Sequence, residues 1–568
     1  TWNTTGMSFV PTDWQVIHDM LMHPNDPDTL FAATYDGLYK STDGAANWSL
    51  VLSGDVDDIE FKPGDPNTMY ACTNEVPSPI FYRSTNGGSS WSSTSMTSVR
   101  RAQIAVTPAN SNYVYYFSGD KGLYRSTNSG VSFSRMGNAP TPGTQDQYDL
   151  AMAVSPTNVN EIHVGEIETY VSLNGGSSWT KSSIWLYPNG TGYIHCDIHE
   201  MVYFGNTLYI GSDGLITKTT DSASTFTDLS VGLGIRQFYR IGSGVNGNPY
   251  KLVGGSQDNG TSVYSTNYWH EWIGADGMEC AINYKNENII YGCIQNGQFY
   301  KSTNGGANEV NITQPGSGDW VTPFVMHPVS PDTLYVGNNY VRKTTDGMSS
   351  WTTIGNFGSG NVNAIAVAKS NPNYIYAAKD DRLWRTNNGG GSWTEITGTL
   401  PGYFVTYISV HPSDPLKVAV TLSSFWTYAD GEKVFKSDNG GNTWINYSGN
   451  LPNLPANCVA YHGGTDDAMY VGMDMGIYYR DNTKSNWEAF MTNLPNVMIK
   501  ELEIDDSIGK IRAATYGRGL WEASVYGGGI PGGYCTASHD PAYENEMITR
   551  VQVGSIDKSS GWLAYSDF

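Results

Sequence analysis

The sequence predicts an all-β fold of about twelve four-stranded blades. Three observations carry that prediction: a turn motif that recurs eleven times, a strand–turn–strand pattern between its copies, and a composition suited to tight turns and pleated surfaces. Of 568 residues, 64 are Gly, 13% are aromatic and only 15% are charged. Gly and Asn tolerate positive φ, and aromatic side chains pack well on pleated surfaces. No window sustains the apolar period of a helix, whereas alternation at strand length recurs throughout.

The motif first stands at Ser41-Thr-Asp43-Gly-Ala-Ala-Asn-Trp48 and returns as Ser84-Thr-Asn86-Gly-Gly88-Ser-Ser-Trp91. Further copies are centred on Asn128, Asn174, Asp221, Asn304, Asp346, Asn388 and Asn439. Worn copies lie at Ser265-Thr-Asn267 and Arg480-Asp-Asn482. The Asp or Asn side chain accepts backbone N–H bonds within the turn, Gly takes a conformation closed to other residues, and the final Trp or Phe packs beneath the hairpin. These residues are therefore expected to hold the fold and to play no part in catalysis.

Ahead of each motif run three strands. In the first unit they are 16–22, 29–34 and 37–41, with a Pro-bracketed turn at His23-Pro-Asn-Asp-Pro27 that recurs at Lys62, His327 and His411. Three strands, the motif and a closing strand make one propeller blade. After the last motif, 499–504, 511–515 and 519–524 supply three strands, and Trp2-Asn-Thr-Thr-Gly6 is expected to supply the fourth and so close a ring. Twelve blades exceed the usual four to eight. Two tandem propellers over residues 1–526 are the leading arrangement and one very large ring the alternative, with 227–302 one candidate for the split.

The pattern S/T-x-D/N-x-G-x-x-W/F resembles the Asp-box, or BNR repeat. Two tandem propellers are similar to the arrangement in xyloglucanases that carry Asp-boxes, and a single large ring is similar to the ten-bladed sortilin family. The run 527–533 is a Gly-rich linker. Beyond it, 534–568 begins Tyr534-Cys535 and ends Tyr565-Ser-Asp-Phe568. It resembles the start of a small β-module of exported Bacteroidetes proteins, cut short. That resemblance implies export by the type IX route to the cell surface or medium, with secretion-system or surface-anchoring components as partners.

Composition narrows the partners. The formal net charge of −22 repels phosphate backbones and anionic lipid, which argues against nucleic acid and membrane surfaces. No apolar run is long enough to span a bilayer. The chain starts at Thr1 without a leader, which reads as a mature chain after signal-peptide removal. Among six scattered cysteines, Cys280 and Cys293 flank a turn at 286–288 and are expected to face each other as a disulfide.

One stretch departs from the repeat. His195, Asp197 and His199 stand at i, i+2 and i+4, so a strand would carry all three on one face. Asp213 follows on the next strand, and Gln257, Asp258 and Asp276 occupy similar places in the next two blades; Asp213, Asp258 and Asp276 are expected to converge on that face where neighbouring blades align. Three roles stay open for this cluster: hydrogen bonding between blades, holding a divalent cation, or placing an acid and a base about a sugar. These strings resemble a core of bacterial BNR-repeat proteins related to sortilin and to the two-propeller glycosidases. Sialidases of this class need an Arg-Ile-Pro string, absent here. The xyloglucanase Asp string is matched only by Ala33-Thr-Tyr-Asp36-Gly-Leu-Tyr39, and the string of their second acid is absent. The function expected is a secreted or surface module that binds polysaccharide or a surface protein. A glycoside hydrolase and a structural subunit of a surface assembly are the alternatives.

Overall fold

The computed structural model describes residues 16–527, apart from 75–78, 97–100, 142–143, 187–189, 231, 245–249, 266–267, 424–430 and 463–466, together with 563–565. The strands form twelve antiparallel sheets, eleven of four strands and one of three. One short 3-10 turn, Gln295–Gly297, is the only helical element among the described residues. The chain divides into two compact units, Thr1–Ser230 and Val231–Phe568. Five sheets belong to the first and seven to the second, so the chain is two tandem propeller units and not one large ring.

The recurrent turn is built alike in nine blades. In the first, Ser41 Oγ donates to Asp43 Oδ1 at 2.9 Å, and Asn47 N–H donates to the same carboxylate oxygen at 2.8 Å. Asn86, Asn128, Asn174, Asp221, Asn304, Asp346, Asn388 and Asn439 each accept the corresponding N–H four residues on, at 2.9–3.0 Å. The Ser126-to-Phe133 copy ends on a ring that meets Phe81 edge-on at 4.7 Å. Gly88 holds φ at +77°, and a Cβ there would come within 2.8 Å of Phe31 in the preceding blade. Glycine thus lets the turn of one blade seat on the core of its neighbour.

The core is a series of layers between consecutive blades. Tyr70, Phe81, Ile104 and Tyr116 fill one such layer in the first unit. Burying side chains of this size contributes about 1.5–3 kcal/mol each. Polar links cross between blades as well. Ile104 N–H donates to Asp58 at 2.6 Å, and Thr107 Oγ1 donates to the Ser155 carbonyl at 2.7 Å.

The second unit closes on itself. Ile241 N–H, on the first inner strand Phe238–Ser243, donates to Glu501 Oε2 at 2.7 Å on the last inner strand, Met498–Asp505. Ser243 Oγ donates to Glu503 at 2.7 Å. The final blade takes its fourth strand from Leu563–Tyr565, paired to Leu520–Ser524. That place was expected for residues 2–6, which lie outside the described residues. The remainder of the tail module, and the linker from 528 onward, lie outside them too.

Cys280 and Cys293 do not form the expected disulfide; both are free thiols. A register shift between Gly277 and Cys280 sets Cys280 opposite Gly292, so neighbouring positions across the pair point to opposite faces. Cys280 turns to the Arg240 carbonyl and Cys293 to that of Thr322. No helix among the described residues is long and apolar enough to cross a membrane.

Candidate functional site

In the first unit, the three-residue strand face does not form. The strand begins only at Ile198, Asp197 precedes it at φ +64°, and a register shift between Ile198 and Glu200 places His199 in a bulge. The three side chains therefore point to different neighbours. His195 tucks its ring against Gly214, where a Cβ would come within 2.3 Å of its Cδ2. Asp197 accepts from Gln145 Nε2 at 2.8 Å. His199 Nε2 pairs with Asp213 Oδ1 at 2.6 Å, and the hydrogen bond to that carboxylate raises the imidazole pKa against the opposing effect of burial. Tyr148 covers the pair: its hydroxyl donates to Asp213 Oδ2 at 2.9 Å and its ring meets His199 edge-on at 4.9 Å. Among the described residues no three His, Cys, Asp or Glu side chains are grouped to hold a metal ion.

Beneath Tyr148 lies Asp149, which composition and spacing did not single out. It has no exposed surface, and neither carboxylate oxygen has a hydrogen-bond partner. Burial first, then the charges of Asp197 and Glu166, push its pKa up to about 7. Glu166 in turn accepts the N–H groups of Thr144 and Gln145 at 2.7 and 2.6 Å, which pins the segment carrying Tyr148 and Asp149.

Gln257, Asp258 and Asp276 belong to the second unit and form a separate cluster there. Asp258, at φ +56°, donates its N–H to Asp276 Oδ1 at 2.8 Å. Gly260 follows at φ +62°, where a Cβ would come within 2.0 Å of the Ile273 carbonyl oxygen; glycine is obligatory for so close an approach. Around this turn stand three aromatic residues that the sequence reading did not assemble. Tyr239 donates its hydroxyl to Gln257 Oε1 at 2.8 Å, and Tyr516 donates to the same oxygen. Trp320 Nε1 donates to the Tyr239 hydroxyl at 3.1 Å while the residue stays 46% exposed. The charges of Asp276 and Asp258 add to burial in holding the Tyr239 hydroxyl above its usual range.

The channel of the second unit opens a cavity of about 560 Å³ lined by Arg240, Glu279, Tyr407, Glu501 and Glu503. Arg240 pairs with Glu279 at 3.2 Å, and Tyr407 donates to Glu501 at 2.9 Å. Burial, reinforced by the charge on Glu501, raises Glu503 to about 7. Asp36, the remaining candidate acid, accepts from Thr34 Oγ1 at 2.8 Å and Tyr39 at 3.1 Å.

An exposed indole fixed by its N–H, beside an amide and two carboxylates, offers a flat apolar face rimmed by hydrogen-bonding groups.

No protein-family model matches the chain. A xyloglucanase of Hypocrea jecorina (strain QM6a) is 27% identical over 225 residues, which make up 31% of this chain and 26% of that protein. A xyloglucanase of Paenibacillus sp is 23% identical over 248 residues, 36% of this chain and 24% of that one. The chain thus spans about a quarter of the length of these curated relatives. Among solved structures, a GH74 enzyme of Niastella koreensis superposes with a TM-score of 0.59 at 18% identity, covering 88% of this chain and 81% of that one. PorZ, an essential surface component of the type-IX secretion system of Porphyromonas gingivalis, superposes with a TM-score of 0.51 at 12% identity, covering 89% and 73%. These likenesses establish the shared propeller fold.

Proposed function

We propose that this protein is a glycoside hydrolase directed at a neutral, xyloglucan-like polysaccharide. Trp320, held from beneath by the buried Tyr239, is its sugar platform, and Asp258 and Asp276 are the carboxylates beside it. The observation that carries the reading is Trp320: a large apolar ring left exposed while its N–H is held by Tyr239. Such a ring supplies stacking area at little entropic cost. The xyloglucanase names of both sequence relatives support the substrate class. The net charge of −22 favours a neutral glycan over a polyuronate.

A second reading, a non-catalytic surface module, is favoured by one specific observation. An Asp276 oxygen already accepts the Asp258 N–H, as a structural carboxylate does. In that reading, the likeness to PorZ and the tail beginning at Tyr534-Cys535 support type IX export to the cell surface, with secretion or anchoring components as partners. We read the recurrent turn as the Asp-box under either function.

The test pairs two assays on purified protein with xyloglucan: release of reducing ends, and retardation in polysaccharide-containing gels. Release that D276N or D258N abolishes, with retardation kept, supports the hydrolase. Retardation without release selects the binding module. Absence of both overturns the sugar reading.

A further inference from the structure

We infer that Gln257 is a fixed hydrogen-bond donor that selects a neutral sugar hydroxyl at the platform, an assignment that rests on the carbohydrate reading above. An indole N–H is only a donor, so the bond between Trp320 and Tyr239 has one possible direction. It fills a lone pair on the Tyr239 oxygen and leaves that hydroxyl's single proton for Gln257 Oε1. Tyr516 brings a second hydroxyl proton to the same oxygen. Turning the amide over would set its NH2 group against both hydroxyl oxygens, and the Tyr239 proton would lose Oε1 as its acceptor. The network thus favours Oε1 facing the hydroxyls and the NH2 group facing away from them.

The backbone is held as firmly. Gln257 N–H donates to the Gln237 carbonyl at 2.9 Å, and Asn259 N–H donates to the Gln257 carbonyl at 2.7 Å. The amide nitrogen itself makes no hydrogen bond among the described residues. Two N–H donors are therefore presented in a constant direction beside the acceptor carboxylates of Asp258 and Asp276. Donor, acceptors and the Trp320 face together suit a neutral pyranose, whose hydroxyl oxygens accept while its hydroxyl protons donate. A uronic acid would set its own carboxylate against two others and is disfavoured.

The experiment measures binding of xyloglucan oligosaccharides and of oligogalacturonate by calorimetry to wild type, Q257E, Q257A and W320A, with Tm for each. Q257E keeps shape and the accepting oxygen but replaces the donor by a charged acceptor. Roughly a tenfold loss of affinity for the neutral oligosaccharide is expected, as for one lost hydrogen bond to a ligand hydroxyl, with Tm held. Q257A serves the same purpose if Q257E does not fold. Loss of binding in W320A with wild-type affinity in both Gln257 variants overturns the donor role and leaves the sugar platform standing. Equal affinity of wild type for oligogalacturonate overturns the selectivity. No binding of either saccharide to wild type overturns the platform itself.

Discussion

Replacing Asp149 by Asn is expected to stabilise the protein at alkaline pH and to do nothing in acid. Asp149 is fully buried, its oxygens are unpartnered, and its folded pKa is about 7. An unfolded aspartate titrates near about 3.9. Between those values the native state holds a proton that the unfolded chain has released, so stability falls as pH rises through the window and levels off above it. At about 1.4 kcal/mol per pH unit the unscreened effect is about 4 kcal/mol. The covering residue Tyr148 is half-exposed, and solvent around it screens the neighbouring carboxylates, which brings the expectation to about 2 kcal/mol. Asn has no charge to lose. Urea denaturation of wild type and D149N at a series of pH values from 4 to 9 reads the difference directly. The two proteins should coincide near pH 4 and diverge in favour of D149N up to about pH 7. Parallel stability profiles across the range would refute the reasoning.

Three further outcomes follow from the fold. Ser84 Oγ accepts the buried Gly88 N–H at 3.0 Å, so S84A should cost about 1–3 kcal/mol in denaturant midpoint while saccharide binding is unchanged. G260A should lower stability by at least about 1–3 kcal/mol, because both its positive φ and the Ile273 carbonyl oppose a Cβ; thermal denaturation checks it. Cys280 and Cys293 should both alkylate in denaturant without reductant, and a cross-linked 280–293 peptide in the mass spectrum would contradict the observed register.

Local periodicity made the blades legible. Each repeated turn lies within eight residues, and its hydrogen bonds span only four, so the chemistry can be read from neighbours in sequence. The pairing of Cys280 with Cys293 and the shared face of His195, Asp197 and His199 failed for one common reason. Both assume an unbroken two-residue alternation, and a register shift at Gly277/Cys280 and another at Ile198/Glu200 interrupts it. Asp149 was illegible because its environment is made by Glu166 and Asp197 from other stretches of chain. Of the second cluster, Gln257, Asp258 and Asp276 carried a signal in their Gly-rich strings. Tyr239, Trp320 and Tyr516 carried none, since nothing in a lone aromatic tells which distant turn it will meet.

The closure of the second unit also has a consequence for how the chain folds. The Ile241–Glu501 and Ser243–Glu503 bonds each join residues 260 positions apart. Contacts of such separation pay their loop-closure entropy before they return any enthalpy, and they slow folding accordingly. On an emerging chain, blades of this unit can form one after another from local hairpins, but the ring must wait for residues 498–524. Gln257 and Tyr516 are separated by nearly the same span, 259 residues. The Tyr516 bond to the amide therefore forms only in the last step, and an incompletely closed ring would hold Gln257 through Tyr239 alone.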